Sequence, residues 1–303
     1  MQAIEIRHVT KRFNGIAAVD DVSLAVPRGS IYGFIGPNGS GKTTTIRMIL
    51  NILLPDSGTI EVLGSRDTRA ARDRVGYLPE ERGLYKKMTV RRLLRYYGGL
   101  KGARRAAVDA VATEWLKRFA LAPCAEMRIE ALSKGMAQKV QFIAAVVAAP
   151  ELLILDEPFS GLDPVNAEVL KDAVLEMRRR GATVVFSTHD MGTAEKMCDR
   201  IFMIFKGRKV LDGTLREIQE RYGADTVRLR VEGGAAALAR FEEIEALNDY
   251  GQLQEVRLRG DTQRFLSRLA AETRVQHFEV TRPSLHDIFV RIARPAGAEA
   301  ADE

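Results

Sequence analysis

The stretch Gly36-Pro37-Asn38-Gly39-Ser40-Gly41-Lys42-Thr43 reads G-x-x-x-x-G-K-[ST], and it constrains this chain more than any other segment. Such a loop needs a buried strand to deliver it and a helix to receive it. Ile31 to Ile35 is a short apolar run of strand character. From Thr44 to Ile52, apolar residues recur at helical spacing through Ile46, Ile49 and Leu50, with Leu53 next after the stretch. Glycines let backbone N–H groups turn inward around phosphate oxygens, and a helix N-terminus adds a positive dipole end. In that setting Lys42 is expected to reach the β- and γ-phosphates of a nucleotide. The Thr43 hydroxyl is expected to take a Mg²⁺ position.

The rest of the composition narrows the class. The chain has 303 residues, 46% of them hydrophobic and 28% charged, as in ordinary globular proteins. That length suits one large domain plus a small one, or two domains. No apolar run approaches the roughly 18–20 residues of a membrane span. The N-terminus begins directly with a strand-like segment, so no signal peptide is expected. Cys124 and Cys198 are far apart, which points to reduced thiols and no metal site. The net charge is +6, and it is uneven. Before Arg216 there are 33 cations against 24 acids, and from Arg216 onward 13 arginines against 16 acids. Solvation and nucleotide attraction account for this excess, and no nucleic-acid partner is expected.

Ile4 to Val9 alternates as a strand, with Ile4, Ile6 and His8 on one face. Thr10 to Gly15 reads as a turn, and Val19 to Val26 as a second strand. Phe13 is an aromatic in that polar turn; it either stacks on a nucleotide base or packs locally at a sheet edge. Thr59 to Leu63 and Arg74 to Pro79 are further strands, the latter ending in Glu80. From Thr89 to about Ala131 the period becomes helical, an insertion into the α/β rhythm. Ser133 is a plausible N-cap for the apolar helix that Pro150 closes.

Leu152-Leu153-Ile154-Leu155-Asp156-Glu157 reads as a central buried strand whose carboxylates emerge at its C-terminal edge. Ligands bind at that edge in open α/β sheets, and a phosphate loop needs a distant carboxylate for its metal. A second apolar strand, Ala182 to Ser187, ends in Thr188-His189-Asp190, which puts His189 beside the same edge. Ile201 to Leu211 forms a hairpin across Lys206-Gly207. Beyond Arg216 the order is close to βαββαβ, a ferredoxin-like arrangement without a catalytic constellation. The tail from Pro295 is small and acidic and is expected to be disordered.

Five motifs now stand in one order, and over residues 1 to about 215 the chain resembles the ATP-binding cassette (ABC) ATPases. GPNGSGKT and LLILDE match the two Walker motifs; LSKGM, at Leu132 to Met136, resembles the family's signature. SGLDP matches the D-loop and STHD the switch-histidine segment. The end resembles the small C-terminal domain of one bacterial group of cassettes, similar to the sodium-efflux type, where PSLHDIF is typical.

The resemblance implies a fold: a P-loop NTPase, RecA-like α/β core with antiparallel-β and α-helical subdomains of the ABC type, plus a small α+β ferredoxin-like domain. It implies a nucleotide-binding domain over residues 1–215, its helical part about 86–150, and an accessory domain over 216–294. It also implies roles. Phe13 stacks on adenine, and the loop from Gly36 to Thr44 holds the phosphates. Asp156 holds Mg²⁺ through water, Glu157 orients or deprotonates the attacking water, and His189 contacts the γ-phosphate. Ser133 and Gly135, within Ser133-Lys134-Gly135-Met136, bind the γ-phosphate held by another subunit, and Asp163 links the two sites. Three positions depart from the pattern. Lys134 breaks the usual glycine pair and Met136 replaces a glutamine. Glu80 stands where the family carries a glutamine that reaches the Mg²⁺ and couples to the membrane partner.

The expected activity is therefore ATP hydrolysis by a dimer of cassettes, homomeric or heteromeric. It would power export through separate permease subunits at the cytoplasmic face of the plasma membrane, by a protein soluble when isolated. A soluble cassette protein acting on nucleic acid or the ribosome typically has two cassettes or a long coiled coil, and this chain shows neither. A regulatory module that binds ATP without turnover is disfavoured by Glu157.

Overall fold

The computed structural model describes residues 1–67, 71–81, 83–223 and 226–293. The acidic tail expected to be disordered lies outside them. The chain divides into two compact units, Met1–Thr214 and Leu215–Glu303.

The first unit begins with β1 (Gln2–Phe13) and β2 (Ile16–Pro27). Next come β3 (Ile31–Ile35), α1 (Lys42–Ile49), β4 (Ser57–Val62) and β5 (Val75–Leu78). Three helices follow: α2 (Val90–Leu100), α3 (Arg105–Arg118) and α4 (Lys134–Val146). The unit continues through β6 (Leu152–Leu155), α5 (Pro164–Arg179), β7 (Thr183–Thr188) and α6 (Met191–Met197). It closes with the hairpin β8 (Arg200–Phe205) and β9 (Arg208–Gly213).

Six strands make one sheet in the order β5-β6-β7-β3-β8-β9, parallel except for β9. β3, β6 and β7 are buried along their whole length. Their period of two splits them between two cores. Ile31, Leu153, Leu155, Val184 and Phe186 face the helical side, where Trp115, Phe119 and Phe142 meet one another in tilted and edge-on contacts. Tyr32, Phe34, Leu152, Ile154 and Val185 face α1 and a three-stranded antiparallel sheet ordered β2-β1-β4. Burial on both faces is why these strands read as unbroken apolar runs.

Several boundaries differ from expectation. β1 continues through the segment read as a turn, and only Asn14-Gly15 reverses the chain. Both residues have positive φ, 49° and 81°, the requirement of a two-residue hairpin whose twist matches its strands. The expected face of β1 also breaks at His8. Its φ is 50° and the pairing register shifts between Ile6 and Val9, so His8 is exposed and Val9 is buried. This is a bulge, which alternation alone does not reveal. α1 starts at Lys42, two residues before the expected Thr44. The short helix α6 was not anticipated; its seven residues follow Asp190, whose carboxylate caps it by accepting from Thr193 N–H at 3.1 Å.

The second unit opens with α7 (Leu215–Arg221), a helix that composition did not signal. β10 (Thr226–Val231), α8 (Gly234–Leu238), β11 (Ile244–Asp249) and β12 (Gln254–Leu258) follow. α9 (Thr262–Glu272), β13 (Val275–Thr281) and α10 (Leu285–Ala293) complete it. The sheet order β11-β12-β10-β13, antiparallel throughout, is the ferredoxin-like arrangement expected from the βαββαβ pattern. Its own core gathers Val227, Leu229, Val256, Phe241, Phe265 and Leu269.

Candidate active site

β3, β7 and β6 are adjacent and parallel, so their carboxyl ends open on one edge of the sheet. That edge receives the phosphate loop from β3, Asp156-Glu157 from β6 and Thr188-His189 from β7. Gly36 N–H donates to the Thr188 carbonyl at 3.4 Å, which ties the loop to β7. A Cβ on Gly36 would stand 2.3 Å from the Ile204 carbonyl oxygen, and one on Gly41 2.5 Å from that of Ala18. No side chain fits in either place, so the loop is pressed onto its surroundings and its open side is left for a ligand.

Lys42 is the first residue of α1 and is 5% exposed. Its Nζ donates to the carbonyls of Gly36 at 2.7 Å and Pro37 at 3.1 Å, and lies 3.7 Å from Glu157 Oε1. Burial lowers its pKa below the ordinary value; the charges of Glu157, Asp156 and Glu80 work in the opposite direction.

Asp156 is fully buried and shares one oxygen between two hydroxyls. Ser187 Oγ donates to its Oδ1 at 2.5 Å and Thr43 Oγ1 at 3.4 Å. Its other oxygen, Oδ2, is buried with no hydrogen-bond partner, as is Ser40 Oγ in the phosphate loop. An acceptor-only carboxylate oxygen left unpaired at this depth is costly unless a cation or its water completes it. Asp156 and Thr43 supply hard oxygen donors, the chemistry Mg²⁺ takes. Mg²⁺ is usually held by one or two protein groups together with substrate phosphates. Among the described residues no cluster of three or more His, Cys, Asp or Glu could hold a metal ion.

Glu157 sits in a left-handed backbone conformation, φ 48°, unusual outside glycine and asparagine. Its N–H is held by Ser187 Oγ at 2.8 Å. Its carboxylate is 3.1 Å by both oxygens from Nδ1 of the exposed His189. One buried serine thus fixes both acids, through the side chain of Asp156 and the backbone of Glu157. Sequence reading passed over Ser187, and the available signal was a hydroxyl residue at the end of an all-apolar strand.

The remaining candidates fall elsewhere. Glu80 is exposed beyond β5, within electrostatic reach of Lys42 and Tyr77. Phe13 ends β1, is 45% exposed, and has Lys11 Nζ 5.7 Å from its ring centroid. Pro37, Asn38 and Gly39 form the outer part of the loop, and Thr44 is half-buried in α1. Ser133 caps α4, accepting from Met136 N–H at 3.3 Å. The Met136 side chain packs against the helical core. Asp163 caps α5 through Asn166 N–H at 3.0 Å and also accepts from Asn166 Nδ2 at 2.5 Å. A Cβ on Gly135 would stand 3.1 Å from that same Nδ2, and one on Gly161 2.7 Å from Lys134 Nζ. The Ser133–Met136 and Gly161–Asp163 segments therefore lie side by side. Neither shares a hydrogen bond with Lys42, Asp156 or Glu157.

Residues 19–160 match the family model described as "ABC transporter", and residues 213–293 the model "ATP-binding protein DrrA1-3-like, C-terminal domain". The chain is 41% identical over 290 residues to the uncharacterized ABC transporter ATP-binding protein YhaQ of Bacillus subtilis (strain 168), covering 95% of this chain and 97% of that one. It is 33% identical to the Nod factor export ATP-binding protein I of Burkholderia lata, covering 95% and 96%. A solved structure of an ATP binding subunit of an ABC transporter superposes with a TM-score of 0.69 at 32% identity, over 73% of this chain and 93% of that one.

Proposed function

Because the chain belongs to the family of ABC transporter ATP-binding proteins, whose cassettes hydrolyse ATP to power transport, we propose that it does so as a dimer with Mg²⁺ and drives export through separate membrane subunits. The relatives named for Nod factor export and linearmycin resistance support the outward direction. Among the described residues no helix is long and apolar enough to cross a membrane, so the path for cargo belongs to another chain. The protein then sits on the cytoplasmic face of the plasma membrane, bound to that permease.

The observation that carries the chemistry is Asp156 with one oxygen fixed by Ser187 and Thr43 and the other buried and unpaired. Asp156 and Thr43 would hold Mg²⁺, which would supply charge neutralisation to the bound phosphates. Lys42 leaves the Gly36 and Pro37 carbonyls for the phosphates, and the loop N–H groups close around them. Glu157, with its backbone fixed by Ser187 and its carboxylate beside His189, orients the attacking water and accepts its proton. His189 would contact the γ-phosphate, and Phe13 would stack on the base. Ser133 and Gly135, which share no hydrogen bond with Lys42 in their own chain, complete the phosphate site of the partner. Asp163 and Asn166 beside them connect the two sites.

Two measurements test this reading. The purified chain should release phosphate from ATP only with a divalent cation. Tagged protein drawn from detergent-solubilised membranes should carry with it a chain of several membrane spans whose presence raises the turnover. Phosphate release unchanged by chelation would remove the metal, and a permease without effect on turnover would remove the coupling.

A further inference from the structure

α4 is lined with apolar side chains, yet it buries two glutamines one turn apart, Gln138 at 6% and Gln141 at 5% exposed. Each reaches a strand exit on the carboxyl edge of the main sheet. Gln138 Nε2 donates to the Pro158 carbonyl, directly after Glu157, at 2.5 Å. Gln141 Nε2 donates to the carbonyls of Pro79 at 3.2 Å and Glu81 at 3.3 Å. Those two carbonyls flank Glu80. A primary amide has two N–H donors, so Gln141 can make both bonds at once. Among the described residues no other hydrogen bond reaches either carbonyl. The chain here has just left β5, an edge strand, and Pro79 has no N–H of its own to anchor it.

We propose that Gln141 is a positioning residue: it clamps the backbone on both sides of Glu80, so that this carboxylate is presented to the phosphate site from a fixed place. The charge of Glu80 is felt at Lys42, and that influence depends on where the segment is held. The clamp also joins Glu80 to the helix whose first turn is Ser133, Lys134 and Gly135. A shift of α4 on meeting a partner chain therefore moves the Glu80 backbone with it. Neither a buried glutamine facing an apolar core nor a bond to one carbonyl alone would do this. The grip on both flanks of a single acidic residue is what assigns the role. This inference rests on the reading of Glu80 as part of the ATP site.

The test is a double-mutant cycle in the full-length chain. Gln141→Met keeps the approximate length and volume of the side chain and removes the donors, leaving the Pro79 and Glu81 carbonyls without this partner. It should lower kcat by about tenfold with KM for ATP within about twofold, since two hydrogen bonds are lost but no nucleotide contact is. In a Glu80→Ala background the same change should alter kcat by less than about twofold, because there is no longer a carboxylate to position. An equal loss in both backgrounds, or no loss in the first, overturns the proposal. Hydrogen exchange read by mass spectrometry gives an arm independent of turnover: Gln141→Met should speed exchange at Tyr77 and Leu78, the sheet-paired end of β5 that runs into the clamped segment, while the interior of α4 stays protected. Unchanged exchange there also overturns it. If Gln141→Met does not fold, Gln141→Ala carries the cycle. Absence of ATP hydrolysis by the unaltered chain would instead count against the ATPase reading and leave the clamp to be decided by exchange.

Discussion

The Lys42 ammonium stands 3.7 Å from the Glu157 carboxylate, and each is held more closely by another group. Lys42 donates to two loop carbonyls, and Glu157 rests against His189. The two charges are close enough to steady one another and too far apart to form a tight pair. A phosphate can therefore draw Lys42 forward without breaking a strong buried ion pair, a loss that costs several kcal/mol where it occurs. This separation sets different outcomes for the two residues. Glu157→Gln should still bind Mg·ATP but lose turnover by about a hundredfold or more, whereas Lys42→Ala should weaken nucleotide binding itself. Equilibrium binding of a fluorescent nucleotide beside steady-state phosphate release separates the two. Near-normal turnover in Glu157→Gln would take this residue out of the chemistry.

Ser187 should matter more than a strand-end serine ordinarily does. Ser187→Ala removes the hydroxyl that donates to Asp156 and accepts from the Glu157 N–H, leaving a buried N–H unpaired at a residue already in a left-handed conformation. The expected cost is about 1–3 kcal/mol of unfolding free energy, together with a higher divalent-ion requirement for turnover. Urea unfolding of the nucleotide-free protein and a Mg²⁺ titration of activity read the two effects. A variant unchanged in both would show that Asp156 and Glu157 hold themselves.

Burial of Lys42 gives a pH dependence of known sign. Its pKa lies below the ordinary 10.5 because the charged form is disfavoured in the folded chain. The unfolded chain then binds more protons between the lowered value and 10.5, so this residue's contribution to stability rises with pH across that window. A bound triphosphate gives the ammonium a partner and draws its pKa back up, so nucleotide binding should take up protons there. Calorimetry in alkaline buffers of differing ionisation enthalpy measures the uptake. Lys42→Arg, which stays charged, should abolish it even if it binds more weakly. An equal proton count in both proteins would assign the uptake elsewhere.

How far the sequence carries depends on whether a feature is local. The phosphate loop and the LLILDE strand are contiguous runs whose chemistry is written in neighbouring residues, and both stand where the spacing predicts. The ferredoxin-like order also follows from alternation and turns alone. What escaped was long-range or conformational. Ser187 acts on residues 30 and 31 positions away, and Gln141 on residues about 60 away. The bulge at His8 is a backbone irregularity inside a pattern that still alternates on paper. α7 was missed because seven residues with one buried side chain, Ile218, give too short a period to read.

That missed helix lies on the second unit's side of the cut. Gln219 Nε2 donates to the Pro283 carbonyl and Arg291 to the Tyr222 carbonyl, so α7 belongs with the second unit. Ending the chain at Thr214 should preserve ATP binding and measurable hydrolysis, since every group at the phosphate site lies before it. A chain ending at Arg221 keeps α7 without these partners and should aggregate more readily. Circular dichroism and nucleotide binding of the two truncations decide the matter; a folded chain ending at Thr214 that binds no ATP would make the second unit part of the site.

The sharpest expectation concerns two chains. Ser133 caps a helix on the helical side of the first unit, and Lys42 opens a helix at the carboxyl edge of the sheet; the two share no hydrogen bond. If a partner's Ser133 and Gly135 close each phosphate site, Lys42→Ala spoils both sites of a homodimer, and so does Ser133→Arg. Mixing the two proteins tests the arrangement. In a mixed dimer one site carries both lesions and the other carries neither. With random pairing half the dimers are mixed, each with one good site of two, so up to roughly a quarter of the unaltered activity should return if the sites act independently. Strong coupling between sites lowers that figure, so ATP-dependent dimerisation should be followed by light scattering in the same samples. Each parent must be folded, and the unaltered chain must show both activity and dimers. A mixture that then shows neither would mean that each chain completes its phosphate site without the partner's Ser133.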